Sequence, residues 1–339
     1  MRWMLLLGLG CGGDDAGDAP TVDADADTDS DTDTDTDADT DTDSDTDADT
    51  DSDTDTAATW DCAALPAGPL PATPLEGLFA SEDFAFDGGN LISSDGAWIV
   101  SQPFPPSEAT LITPTGTDPS SMRMLPSGDL VYANINGGVL SRVSLADGTA
   151  TILVAGLGYA TGIDIHLDGH VFIGDFDRVK RVDPDTGALE TVYGPDAPGN
   201  EIGPINGLSF SADYTTLYLG SRNSLWRVPV DADGVPNGLT EQLWRTNLVG
   251  ELFGLGVDAC GNVYGLFSGR LLRFSAAAIA AGGPVEPELL VDGTGTTTNL
   301  QWGSGVGGWD AQTVYVVDRT VGHPPYLAVP VGVPAKPSP

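Results

Sequence analysis

One pattern returns six times along the chain, and it restricts the fold more than any other feature of the sequence. Each copy is a polar residue, a short apolar run, a turn of Asp, Asn or Gly, and then two further apolar runs. The copies begin at EDFAFDGGNLIS (82–93), SMRMLPSGDLVYAN (121–134), TGIDIHLDGHVFIGDF (161–176), NGLSFSADYTTLYLGS (206–221), FGLGVDACGNVYGLFS (253–268) and NLQWGSGVGGWDAQTVYVVD (299–318). Their starts fall about 39–47 residues apart, the spacing of propeller blades, where each small sheet buries its faces only against its neighbours. Copies one to five carry a fourth apolar run, ATLIT, ATILVAG, LETVYG, LTEQLW and PELLVDG. Copy six ends at PYLAVPVGV without one. The segment PLPATPLEGLFA, ahead of copy one, can supply it, which pairs the two ends of the repeat array and removes an exposed sheet edge. Gly and Pro are abundant and spread out, as many short strands require. A single short helix is expected at SAAAIAAG (275–282), capped by Ser275.

Copy four has the most distinctive wording: N-G-L-x-F-S-x-D, then T-L-Y, then L-W-R, then D-A-D-G. With the ending TNLQWG…TVYVVD…VPVGVP, it resembles the senescence marker protein (regucalcin)/gluconolactonase family, and more distantly the strictosidine synthase and NHL-type propellers. The resemblance spans roughly residues 66–333. It implies an all-β chain folded as a six-bladed β-propeller with four-stranded blades. We therefore divide the chain into a signal (1–10), a disordered acidic stalk (11–60) and a propeller (61–339).

In a propeller the innermost strands line a central channel, and the residues that open them converge at one mouth. Those residues are Glu82, Ser121, Thr161, Asn206, Phe253 and Asn299. A hard cation such as calcium needs several oxygens at ~2.3–2.6 Å; Glu82 and Asn206 can contribute directly, Asn299 and Thr161 in support. The family resemblance implies a calcium-type site built from a first-blade Glu, middle-blade Asn residues and a fifth-blade Asp. Glu82 and Asn206 match the first two kinds. Ala160 stands where the third blade would supply Asn, and Phe253 stands where the fifth would supply Asp, a candidate general base in the lactonases. Phe neither ligates nor accepts a proton, and it fills space at the mouth. Asn206 is equally readable as a residue beside a tight turn, and Glu82 as the partner of an Arg across the channel. The ends of the second strands bring Asn134, Asp175, Arg222, Asp318 and Arg319 to the same mouth, as ligand contacts or as solvated rim residues.

The expected function is binding of a small ligand or a protein partner at this mouth, without catalysis and without a cofactor. The alternative is a calcium-dependent lactonase or esterase of the gluconolactonase class. His166 and His170 (DIHLDGH) have zinc-like spacing but flank a hairpin turn, and are expected to be exposed turn residues. His323, beside two prolines, is expected in a loop, and Trp226 in packing between blades.

Charge and the N-terminus bear on location. The net charge is -37, and about 20 of the acidic residues precede Ala57. An acidic chain repels phosphates, so nucleic acid is not an expected partner. No apolar run after the N-terminus approaches the ~20 residues of a membrane span. The opening MRWMLLLGLGCGGDD resembles a bacterial lipoprotein signal with Cys11 as the lipidated residue, although Gly8 stands where Leu is usual. Residues 14–56, almost all Asp, Thr, Ser and Ala, have nothing apolar to bury and read as an extended stalk. Their D-x-D-x-D runs lack the Gly turn and final Glu of a calcium loop, which leaves only diffuse counterion binding. We expect a monomer in the bacterial cell envelope, on the outer membrane or cell surface and held to the membrane by lipid alone; a secreted chain is the alternative. In an exported chain Cys62 and Cys260 can form a disulfide or remain two thiols.

Overall fold

The computed structural model describes residues 60–339 apart from Ala80, Thr117 and Asn200. The signal, Cys11 and almost all of the acidic stretch lie outside the described residues. The described chain forms twenty-four strands and one helix. β1 (Thr73–Leu75) precedes the first full blade, β2 (Ala85–Asp87), β3 (Asn90–Ser94), β4 (Trp98–Pro103) and β5 (Thr110–Pro114). The second blade is β6 (Ser121–Met124), β7 (Leu130–Asn134), β8 (Val139–Val143) and β9 (Ala150–Ala155). The third is β10 (Ala160–Ile165), β11 (Val171–Asp175), β12 (Arg178–Val182) and β13 (Leu189–Tyr193). The fourth is β14 (Ile205–Phe210), β15 (Thr216–Ser221), β16 (Ser224–Pro229) and β17 (Glu241–Arg245). The fifth is β18 (Leu252–Val257), β19 (Val263–Phe267), β20 (Arg270–Phe274) and β21 (Glu288–Asp292), with α1 (Ala276–Ala281) between its last two strands. The sixth is β22 (Thr297–Trp302), β23 (Thr313–Asp318) and β24 (Tyr326–Pro330).

Each blade is an antiparallel sheet in sequence order, and β1 completes the sixth by pairing with β24, Thr73 opposite Ala328. The ring thus closes with the chain's early strand as the sixth blade's outer strand, as the missing run in copy six required. The Ser275 side chain caps α1 by accepting the Ala278 N–H.

The apolar residues of each strand divide between the two faces of its blade and build six apolar seams between neighbours. Phe172, Val179, Ile205, Leu208 and Phe210 join blades three and four. Leu225, Leu252, Leu255 and Val263 join four and five. Phe84, Leu91, Trp309, Tyr315 and Tyr326 join six to one, so the closing seam is as apolar as the others. Each large side chain buried this way stabilises the fold by roughly 1.5–3 kcal/mol. Trp226 lies in the third-to-fourth-blade seam, with its indole N–H donated to Ser224 Oγ.

Two segments outside the blades cross between them. Cys62 is joined to Cys260 by a disulfide, with 5.6 Å between their Cα atoms. The following residues run along blade five: Pro66 O accepts from Arg273 Nη2 at 3.0 Å, Gly68 N–H donates to Glu288 Oε1 at 2.6 Å, and Leu70 N–H donates to Leu290 O at 2.6 Å. After β24, Ala335 bridges to Asp258 and the Lys336 N–H donates to Val257 O at 2.8 Å. These residues meet blade five at the end of β18, opposite the mouth at which that strand begins.

Candidate ligand site at the channel mouth

Four inner strands carry a bulge near their start. The register shifts between Thr161 and Ile163, between Ile205 and Gly207, between Phe253 and Gly256, and between Thr297 and Leu300. A bulge removes a residue from the ladder and re-aims its side chain. At this level, hydroxyls staple each blade to the next. Ser120 Oγ donates to Ala160 O at 2.7 Å, Thr161 Oγ1 to Ile205 O at 2.5 Å, and Thr298 Oγ1 to Glu82 O at 2.6 Å. Thr161 is thereby committed to the fold. Asn206, the extra residue of the β14 bulge, is different. It is 6% exposed, and neither its Oδ1 nor its Nδ2 has a hydrogen-bond partner among the described residues. Buried amides are normally satisfied, so this one is aimed at something other than the fold. Asn299 does not share that property: it is buried, and its Oδ1 accepts the Leu300 N–H at 2.9 Å.

The charges gather around one cation. Arg319, at the end of β23, pairs through Nη1 with Glu82 Oε1, and its Nη2 lies 3.4 Å from Asp118 Oδ2. The Arg expected across the channel from Glu82 comes instead from the adjacent sixth blade, because ring closure brings the end of β23 beside blade one. Burial pushes the Asp118 carboxyl up, against the pull of Arg319. Tyr159 is raised by burial and by the negative charges of Glu251 and Glu82, which puts both carboxylates in its surroundings. Two carboxylates, Glu82 and Asp118, thus share one guanidinium. Asp175 fixes the backbone before β10, accepting the N–H groups of Gly158 at 2.7 Å and Tyr159 at 2.9 Å. Arg222 is exposed at the β15–β16 turn with a φ of 45°, and its side chain lies beside Gly203. Asp318 is buried and lies 2.9 Å from His323 Nδ1. Asn134 Oδ1 accepts the Gly137 N–H.

Ala160 is fully buried in the seam between blades two and three. Phe253 is half-buried, and its side chain packs against the seam between blades five and six, so its bulk goes there. The residues at the expected calcium positions do not fit that ion. Asn206 offers an unengaged oxygen, but Glu82 is held by Arg319 and Phe253 offers none. Among the described residues, no three His, Cys, Asp or Glu side chains are grouped to hold a metal.

His166 is not the exposed turn residue expected. It is 2% exposed, with its ring between 5.1 and 5.9 Å from those of Phe210, Tyr214 and Phe172. The apolar seam covers that end of β10, which an alternating pattern read on one strand does not reveal. Both His166 and His170 face Asp168, where Arg181 also bonds at 2.9 Å, so a cation already fills the place a metal would take.

A second layer, deeper in the channel, had no reading in the sequence. Asp83, Arg123, Asp164 and Ser209 stand at matching places, four residues before the turn residues Asp87, Ser127, Asp168 and Asp213. The recurring D-x-x-x-D-G of copies one and three was the available signal. Asp83 Oδ1 accepts the Phe84 N–H, and Oδ2 accepts Met122 N–H, Ser121 Oγ and Arg123 Nη1 from blade two. Asp164 repeats the clasp on blade four, accepting Phe210 N–H at 2.8 Å and Ser209 Oγ at 3.2 Å. Gln301 reaches from blade six to the adjacent blade one, donating to Phe84 O at 2.5 Å.

No protein-family model matches the chain, and no curated protein matches it. Solved structures do. The chain is similar to a calcium-binding protein, regucalcin, from Agrobacterium tumefaciens, with 18% identity and a TM-score of 0.62 over 81% of this chain and 99% of that one. It is similar to a gluconolactonase from Xanthomonas campestris, with 16% identity and a TM-score of 0.58 over 80% and 100%. It is similar to virginiamycin B lyase from Staphylococcus aureus, with 10% identity and a TM-score of 0.51 over 73% and 84%. A calcium-binding protein, a gluconolactonase and a lyase among these similar structures separate fold from chemistry. The fold of this chain is that of the regucalcin and gluconolactonase structures, a six-bladed β-propeller of four-stranded blades.

Proposed function

We propose that the protein is a binding module that takes a small polar ligand at the channel mouth without catalysing its conversion. The observation that carries this reading is Asn206, buried with both amide atoms unengaged among the described residues. An amide in that state offers one acceptor and two donors to a guest. Glu82 and Asp118 against the single Arg319, with the charge of Glu251 acting on Tyr159, make the surroundings acidic, which favours a neutral, hydroxyl-rich or cationic guest over an anion. The apolar start and Cys11, followed by the Asp/Thr stretch, support a lipid-anchored module held off a bacterial surface by its stalk. The test is a calorimetric screen of neutral polyols, amines and sugar acids against the full chain and its Asn206→Leu variant. Saturable binding lost in the variant supports the reading; binding unaffected by the substitution defeats it.

A second reading, a metal-dependent lactone or ester hydrolase, draws on the shared fold and on Glu251, which brings another carboxylate to the mouth beside Glu82. Calcium bound by the purified protein, with lactone turnover removed by Glu82→Gln, would replace the first reading with this one. Absence of both metal uptake and turnover in a folded sample eliminates it.

A further inference from the structure

The end of the channel away from the mouth holds a different site. Residues 335–339 fold across it and share the walls of a cavity of about 390 Å³ with Arg123, Asp164, Ser209, Tyr214 and Gln301. Lys336 reaches in from this segment. Its Nζ donates to Asp164 Oδ2 at 2.6 Å and to Phe210 O at 3.1 Å. The third N–H is left for the aromatic faces, with Nζ 4.5 Å from the Tyr214 centroid and 5.5 Å from that of Phe210. A carboxylate, a carbonyl and two rings around one –NH3⁺ satisfy every donor of a primary ammonium.

The receiving carboxylate is set independently of the segment that carries Lys336. The clasp on Phe210 N–H and Ser209 Oγ holds Asp164 Oδ2, and its Oδ1 accepts the Ile165 N–H at 2.9 Å. Burial alone would raise this carboxyl; the charges of Lys336 and Arg123 and the hydrogen bonds bring it below the ordinary range. The hydroxyl of Tyr214 is anchored on Pro337 O at 2.9 Å, and its backbone sits at a φ of 57°, which turns it out of the β14–β15 hairpin. In the matching layer of blade one, Asp83 makes the same clasp and finds its cation, Arg123, on the adjacent strand. Asp164 has no such neighbour on blade four, where Ser209 stands at that place. Its cation comes from far along the chain.

We propose that Asp164, Phe210 and Tyr214 form a binding cage for primary alkylammonium groups, occupied here by the chain's own Lys336 and open to an external amine when the 335–339 segment lifts. The cage is separate from the mouth and does not depend on the function proposed for it. The chemistry is shared by a free small amine and by a lysine side chain of a peptide, and two probes distinguish them: n-butylammonium, and a peptide with the sequence of residues 334–339.

The experiment uses the full chain carrying Lys336→Ala, followed by thermal denaturation with each probe. The expected result is a saturable rise in the melting midpoint of the variant with n-butylammonium, no comparable rise for the wild type, and none with n-butanol. Adding Asp164→Asn to the variant removes the response. A response to the peptide alone assigns the site to lysine in a polypeptide and excludes free amines. Equal behaviour of variant and wild type towards both probes overturns the proposal. Should Lys336→Ala not fold, amine acylation of the wild-type chain followed by mass spectrometry decides the same point. Lys336 is then expected to react at least tenfold more slowly than Lys180, and Asp164→Asn to erase the difference; equal rates in the wild type refute the cage.

Discussion

Replacing Asn206 by Leu should make the ligand-free protein more stable, which is an unusual expectation for a buried polar residue. The amide is 6% exposed and both of its polar atoms lack a partner among the described residues. Leaving such a group buried costs about 1–3 kcal/mol, because its hydration is lost and nothing replaces it. Leu has nearly the same reach and removes that penalty. Against this, its branched end must fit beside the Thr161 staple, and overpacking of a filled site costs ~1 kcal/mol or more. The balance is a gain of up to about 2 kcal/mol, or up to roughly 4 °C in melting midpoint for a domain of this size. Thermal denaturation followed by circular dichroism, without added ligand, measures it. If Asn206 is held ready for a guest, the variant gains stability and loses binding together, as sites that trade stability for function do. A midpoint lowered by several degrees would refute the reasoning, since the amide would then be satisfied in the folded protein and structural.

Other expectations concern charge and chain closure. Arg123→Met strands Asp83 inside the channel and should cost about 3–5 kcal/mol. Burial already raises the Asp83 carboxyl, so its protonation favours the folded state and the penalty should shrink as pH falls; urea titrations at several pH values test this, and a pH-independent loss would contradict it. Burial also acts to raise the Asp168 carboxyl, but the His170 N–H, Arg181 and His166 overcome it and hold it at about 2. A lowered carboxyl stabilises the fold above its unfolded-state value and loses that contribution as pH drops through about 2. Asp168→Asn should therefore cost roughly 1 kcal/mol at neutral pH, given its partial exposure, and almost nothing near the acid limit, as measured by chemical denaturation. Removing the Cys62–Cys260 disulfide, whose ends are 198 residues apart, should lower stability by about 2–5 kcal/mol. Comparing unfolding of the oxidised protein with a Cys62→Ser, Cys260→Ser double variant checks it; equal stability would mean that the hydrogen bonds of Pro66, Gly68 and Leu70 to blade five suffice.

The sequence by itself determined the architecture. Local turn chemistry and a period-two apolar pattern repeated six times admit few solutions, and the run missing from copy six identified the strand that closes the ring. It also set Asn206 near the start of an inner strand and Glu82 just ahead of one, because position within a repeat translates into depth along an inner strand. Tertiary structure alone decided what those residues do there. Whether a buried hydroxyl or amide is satisfied depends on the neighbouring blade, about forty residues away in the chain, so the Thr161 staple and the unengaged Asn206 look alike in sequence. The burial of His166 was decided in the same way, by rings from the next blade. Ion pairs are set by closure of the ring: Arg319 reaches Glu82 across 237 residues and Lys336 reaches Asp164 across 172. A charged group takes whichever opposite charge the fold brings within a few ångströms, and no local pattern in the chain encodes that distance.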